Sequence, residues 1–250
     1  MGRISLAFLG AVLFAEQAMS ADEHLSFCYD PYPPYTLGEA GETKSGLKVR
    51  LLEEVVEHVP GITASVTLLP WQRCQLQVRA GALDGILPLF PNADRAEYLD
   101  FSTDALAQRS SFWFSRERFP DGLSWDGAYD EISSLRLGML LGSHIDDDLE
   151  RAFVASGNLA RAESVSSLFL MLRHDRIDLI AIDSLVARHT ISEEGTEGLF
   201  AEVDRPIGTK FSRFGLSKVT GANRHLEAFN RAIEVLRASG RIEEIRNGRP

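Results

Sequence analysis

Of the 250 residues, 26 are Lys or Arg and 36 are Asp or Glu, for a formal charge of −10 with no basic cluster. That balance excludes nucleic acid as the expected partner. Nothing after the first apolar segment is long enough to cross a membrane, and a mature chain of roughly 230 residues is large for one core and comfortable for two compact lobes.

The N-terminus reads as a signal peptide. Arg3 supplies a positive charge, Ile4 to Ala15 is apolar, and Ala18-Met19-Ser20 offers small residues for cleavage after Ser20. The apolar run, about a dozen residues, is shorter than the roughly 20 a spanning helix needs. No cysteine stands at the cleavage point for lipid attachment. The expectation is a freely diffusing periplasmic protein, not inserted in the membrane once the signal is removed. Export also makes a disulfide between the only two cysteines, Cys28 and Cys74, the first hypothesis, with two buried free thiols as the alternative.

The mature chain opens with a strand ending at Tyr29. Asp30-Pro31-Tyr32-Pro33-Pro34-Tyr35 then reads as an extended, polyproline-like loop. Leu47, Leu51, Val55 and Val59 recur every four residues and predict a helix over 47–59. A strand over 62–69, a helix over 71–80 closed by Gly81, and a buried strand over 86–89 follow. This alternation predicts a parallel sheet covered on both faces. Asn92 caps a short helical turn with Asp94 in its first turn, leading to a strand over 111–115 and a loop over 120–133. The alternation restarts with a strand over 135–140, a turn at Gly142-Ser143, helices over 146–156 and 165–174, a strand over 179–182 and a helix over 184–190. A strand over 214–218 and a helix over 225–240, with Leu226, Phe229, Ile233 and Leu236 on one face, close the chain.

The order of motifs carries a resemblance. Tyr32-Pro33-Pro34-Tyr35, Gly46 before a helix, Ala80-Gly81-Ala82-Leu83-Asp84-Gly85 and Asp94-Arg95-Ala96-Glu97-Tyr98-Leu99-Asp100-Phe101-Ser102 come in one sequence. Leu137 to Ser143, Arg176 to Asp183 and Ala238 to Ile245 follow. Together they resemble the family 3 extracellular solute-binding proteins, the polar amino acid receptors of bacterial ABC importers, over nearly the whole mature chain. The resemblance implies the α/β type II periplasmic binding protein fold, two lobes joined by two hinge crossovers. The first lobe would comprise 21–107 and 213–250, the second 108–212, with the ligand in the cleft between strand ends.

By the same resemblance Arg95 holds the ligand's carboxylate, a role that suits a planar, bidentate guanidinium; alone it would read as a surface arginine paired with Asp94 or Glu97. Asp183 corresponds to the partner of the ligand's ammonium group, and also reads as an N-cap for the following helix. Trp71 corresponds to the aromatic residue stacked over the ligand, with Tyr32 and Tyr35 on the nearby loop as further aromatic contacts; all three also read as packing residues. Ser143, at an expected helix start, offers free N–H groups to an anion, or else pairs with Asp146 in a capping box. Pro88 and Phe90 precede the arginine where many relatives place small hydroxyl residues, and His144 follows Ser143. These departures extend the expected ligands from amino acids to smaller or more apolar acids.

The function expected is capture of a small carboxylate, an amino acid first, by a monomer serving an ABC permease. No metal or cofactor is expected, since the six histidines show no ligand spacing. One rival is an enzyme resembling the periplasmic cyclohexadienyl dehydratases. Ser45-Gly46-Leu47-Lys48 fits the Ser-x-x-Lys pattern of a different class, the serine acylases, but the companion motifs of that class are absent. Another rival is a sensory or accessory binding protein.

Overall fold

A computed structural model describes residues 22–39 and 44–247; the expected signal peptide, residues 1–20, lies outside them. The first half of the chain alternates as β1 (Glu23–Tyr29), α1 (Leu47–Glu57), β2 (Ile62–Leu68), α2 (Trp71–Arg79), β3 (Gly85–Leu89), α3 (Ala93–Ala96) and β4 (Leu99–Phe101). Then come β5 (Leu106–Ser115), α4 (Tyr129–Ile132), β6 (Leu137–Leu140), α5 (Asp147–Ala155), β7 (Leu159–Ala162), α6 (Val165–Arg173), β8 (Leu179–Asp183), α7 (Ser184–Glu193) and β9 (Phe200–Glu202). The chain returns through β10 (Gly208–Ser217), a short 3-10 turn, α8 (Leu226–Ala238) and α9 (Arg241–Arg246).

The strands run in the order β2-β1-β3-β10-β5-β8-β6-β7, with β4 also paired to β10 and β9 to β5. β1 is parallel to β2 and β3, and β6 to β7 and β8. The expectation of a parallel sheet needs one correction: β10 is antiparallel to β3, β4 and β5, and β5 is antiparallel to β8 and β9. The sheet is mixed because these two long strands run between the lobes. Residues 106–110 of β5 pair with 208–212 of β10; beyond that ribbon β10 continues into the first sheet and β5 into the second.

Both crossover strands begin earlier than expected. The sequence pattern starts them at Ser111 and Phe214, where apolar residues start, whereas the ladder starts at Leu106 and Gly208. The first four residues of β10 are exposed, so the ribbon's pairing comes from its partner strand and not from a buried apolar face.

The core explains the lobes. Phe27 on β1, Phe214 on β10 and Phe229 on α8 are fully buried, with ring centroids 5.6 to 6.4 Å apart. This cluster fastens α8 to the first strand, and of the expected apolar face of α8 Phe229, Ile233 and Leu236 are buried and Leu226 is half-buried. Gly85 is required here: a Cβ at this position would lie 2.5 Å from the Phe27 ring and 2.7 Å from the Gly215 carbonyl oxygen. A second cluster, with Phe112, Met139, Leu149 and Phe153 buried, fills the other lobe. Cys28 on β1 and Cys74 on α2 are bridged, with Cα atoms 5.7 Å apart. The two-thiol alternative is therefore not the one the fold adopts. Among the described residues no helix is long and apolar enough to cross a membrane.

Candidate functional site

The loop after β1 is not extended as expected; it turns back on itself. Tyr32 and Thr36 exchange backbone hydrogen bonds at 3.0 Å, and the Thr36 hydroxyl donates to the Asp30 carbonyl at 2.5 Å. The Pro33–Pro34 bond is cis, and the Tyr32 and Tyr35 rings stack 5.6 Å apart. The loop carbonyls of Pro34 and Tyr35 accept from the N–H groups of Leu47 and Lys48, capping α1 with backbone instead of a side chain. Gly46 makes this approach possible, with φ at 108° and space for a Cβ denied by the Tyr35 carbonyl oxygen at 2.6 Å. The motif glycine thus seats Tyr35 and Lys48 side by side.

A cavity of about 110 Å³ lies where the lobes face one another. Tyr32 and Phe90 line it from the first lobe, Gln108, Ser110 and Lys210 from the crossover ribbon, and Leu140, Ser143, Ile145 and Asp183 from the second. Larger hollows of about 440 and 600 Å³ flank α1, but residues of both lobes and the ribbon converge only at the smaller one among those described.

Asp183 ends β8 and caps α7. Its Oδ1 accepts from the N–H groups of Leu185 and Val186 at 3.0 and 3.1 Å, and its Oδ2 accepts from the Tyr35 hydroxyl at 2.8 Å, a bond that ties the lobes together. Burial pushes this carboxyl above its usual range, opposed by the two N–H groups, the phenol and the Lys48 ammonium.

Lys48 is 1% exposed. Its Nζ donates to the Tyr29 hydroxyl at 2.6 Å and lies 4.0 and 5.2 Å from the Tyr29 and Tyr35 ring centroids. Burial pushes its pKa down to about 7, against the opposing pull of Asp30 and Asp183.

Arg95 and Trp71 come together, but not on the cavity wall. The guanidinium sits 5.1 Å from the Trp71 ring centroid, and its Nη1 donates to the Phe90 carbonyl at 2.5 Å. Phe90, one of the residues lining the cavity, therefore links this pair to the cleft through its carbonyl. The Arg95 Nε is buried without a hydrogen-bond partner. The expected Asn92 cap holds this turn, its Oδ1 accepting from the Arg95 N–H at 2.8 Å.

Ser143 does not start a helix. α5 begins at Asp147 with Asp146 as its cap, accepting from Leu149 N–H, while Ser143 donates its hydroxyl to the Leu140 carbonyl. Three acidic residues follow Asp146 within the first turn of α5, where the helix dipole favours them, so the helix starts there. Ser143 lines the cavity all the same. His144 contacts Glu150 at 2.9 Å and Asp147 at 3.6 Å. Among the described residues no group of three or more His, Cys, Asp or Glu is placed to hold a metal ion.

Tyr32, Ser143 and Asp183 thus meet at one cavity. Lys48, Gln108, Ser110 and Lys210 were not anticipated. Lys48 lies beside the apolar stripe of its helix, and the other three lie on strand segments whose polar composition reads as loop.

Two α/β lobes, a pair of antiparallel crossovers and a cleft at the facing strand ends define a periplasmic-binding-protein fold. The chain belongs to the bacterial extracellular solute-binding proteins, family 3, which it matches over residues 25–248. Among solved structures it is similar to the second substrate-binding domain of Lactococcus lactis GlnP in its open conformation, at 19% identity and TM-score 0.68, covering 89% of this chain and 93% of that one. It is also similar to a substrate-binding protein of an ABC uptake transporter from Streptococcus pneumoniae with bound histidine, at 19% identity and TM-score 0.64, covering 89% and 90%. A histidine kinase sensor domain with similarity to periplasmic binding proteins shares 16% identity at TM-score 0.66, covering 92% and 96%. Among curated proteins none matches by sequence.

Proposed function

We propose that this is a periplasmic solute-binding protein that captures a small carboxylate, an amino acid or a close analogue, in the inter-lobe cleft and presents it to an ABC importer. The observation that carries the reading is the cavity on which Tyr32 and Phe90 converge from one lobe and Ser143 and Asp183 from the other. In this reading the first lobe is 21–107 with 213–250 and the second 108–212, since the β5–β10 ribbon crosses at those positions. In this reading capture begins on the first lobe, where the Arg95 guanidinium, resting on Trp71 and bonded to the carbonyl of the cavity residue Phe90, draws the carboxylate. The second lobe closes through Asp183 and Ser143, and closure is driven by the ligand's higher affinity for the shut form. The protein acts as a monomer and performs no chemistry on its ligand.

Thermal-shift and calorimetric screening of amino acids and small organic acids tests this, because a ligand bound only by the folded state raises its stability. A stabilising carboxylate, with compaction in solution scattering, is the expected result; no stabilisation by any acid tested would refute it. Arg95→Ala is expected to weaken that ligand by about 2 kcal/mol, the size of a charge-assisted contact, with the apo melting temperature little changed. Unchanged affinity by calorimetry would remove Arg95 from the site.

A sensory role has one observation in its favour, the likeness to the histidine kinase sensor domain. Deleting the chain from its host separates the two: loss of uptake of the captured solute marks the importer role, and loss of a transcriptional response with uptake intact marks the sensor.

A further inference from the structure

Gln108 is 6% exposed, yet its Oε1 has no hydrogen-bond partner while its residue lines the cavity. Buried acceptors are nearly always satisfied, so an orphan on a cavity wall marks where a donor from outside belongs. Asp183, the acceptor expected to receive the ligand, already takes three donors from the chain itself. Gln108 thus holds an acceptor that no group of the chain uses.

The neighbour directly across the ribbon is Lys210, whose Cα pairs with that of Gln108 in the β5–β10 ladder. Paired residues of two adjacent strands project from the same face, so both side chains reach one floor. The next pair on that face is Ser110 with Gly208, and a Cβ at Gly208 would meet nothing within 4 Å. The floor is thus open above Ser110, with an acceptor and a cation beside it. The Lys210 ammonium has no ion-pair or hydrogen-bond partner among the described residues.

We propose that Gln108 and Lys210 form the floor of the ligand site, Gln108 Oε1 accepting from an N–H or O–H adjacent to the ligand's carboxylate and Lys210 adding positive charge toward that carboxylate. This rests on the reading of the cleft as a carboxylate site. It adds that the vicinal donor need not be an ammonium, since a neutral amide oxygen receives it, and that Lys210 disfavours ligands with cationic side chains. A cavity of about 110 Å³ holds on the order of seven to ten water-sized positions, which suits an acid of about eight heavy atoms with an apolar tail against Leu140, Ile145 and Phe90.

Calorimetry on the mature protein with L-valine, 2-hydroxy-3-methylbutanoate and 3-methylbutanoate tests the floor, because these differ only in an ammonium, a hydroxyl or a hydrogen next to the carboxylate. The wild type is expected to bind the first two about tenfold more tightly than the third. Gln108→Leu is expected to bring the three within about twofold of one another, without the third changing. Lys210→Met is expected to weaken all three alike. A tenfold preference that survives in Gln108→Leu, or affinities untouched in Lys210→Met, overturns the proposal while leaving the carboxylate reading intact. Should none of the three bind the wild type while other carboxylates do, the floor assignment alone is wrong; should no carboxylate bind, the parent reading fails as well. Apo melting curves verify that each variant folds, and Gln108→Glu, which retains an acceptor, is expected to keep the preference for L-valine.

Discussion

Reducing the Cys28–Cys74 bridge, or replacing both residues by Ala, is expected to lower the stability of the first lobe by about 2 to 5 kcal/mol and its melting temperature by roughly 5 to 15 °C. The cysteines are 46 residues apart, and the bridge closes a loop containing α1 and β2 and ending in α2. Cross-linking a loop of that size removes much of the unfolded chain's freedom. Both sulfurs are buried among Val78, Ile86 and Leu89, so the replaced side chains also give up packing. The consequence reaches Arg95, because α2 carries Trp71, over whose ring that guanidinium sits. Differential scanning calorimetry with and without a reductant measures the effect. A shift under about 2 °C would mean that the bridge adds almost nothing to the packing around it.

Between pH 7 and pH 9.5 the protein is expected to gain stability as the pH rises, by about 2 to 3 kcal/mol, through Lys48. The unfolded lysine titrates near its ordinary 10.5, whereas burial holds the folded one at about 7. Across that interval the unfolded state binds the extra proton and the folded state does not, so raising the pH favours folding. Below about pH 7 both states are protonated and the slope disappears. Tyr29, Tyr32 and Tyr35 act in the opposite direction but higher up: burial raises their folded pKa values, so their contribution falls away only above the ordinary tyrosine range near 10. Urea denaturation at several pH values measures the slope, and Lys48→Met is expected to abolish it. A Lys48→Met protein with the same slope as the wild type would assign the effect to another group. Because Lys48 neighbours Tyr35, and Tyr35 holds Asp183, the ammonium also bears on the bond that joins the lobes.

Strands and helices with strong periodicity were legible with their ends displaced by a few residues: α1 stops at Glu57 where the pattern ran to Val59, and β6 starts at Leu137 where it began at Leu135. The stripe Leu51, Val55 and Val59 is buried as the four-residue spacing requires, and Asn92 caps its turn as its side chain allows. The short strands β4, β7 and β9 were not legible, because three or four residues leave no period to read. Ser143 was misplaced relative to its helix, since Asp146 competes for the same capping role and has more acidic followers.

By itself the sequence determined the alternation of elements and the motif order that marks the family, because each is written in neighbouring side chains whose spacing dictates their local structure. Only the tertiary structure decided which polar groups share a cavity. Gln108 and Lys210 are more than a hundred positions apart and meet through the register of two crossover strands. Lys48 becomes buried because the Gly46 turn presses the Tyr35 loop onto its helix. Long-range register and burial depend on how whole elements pack, and no local pattern of side chains encodes them.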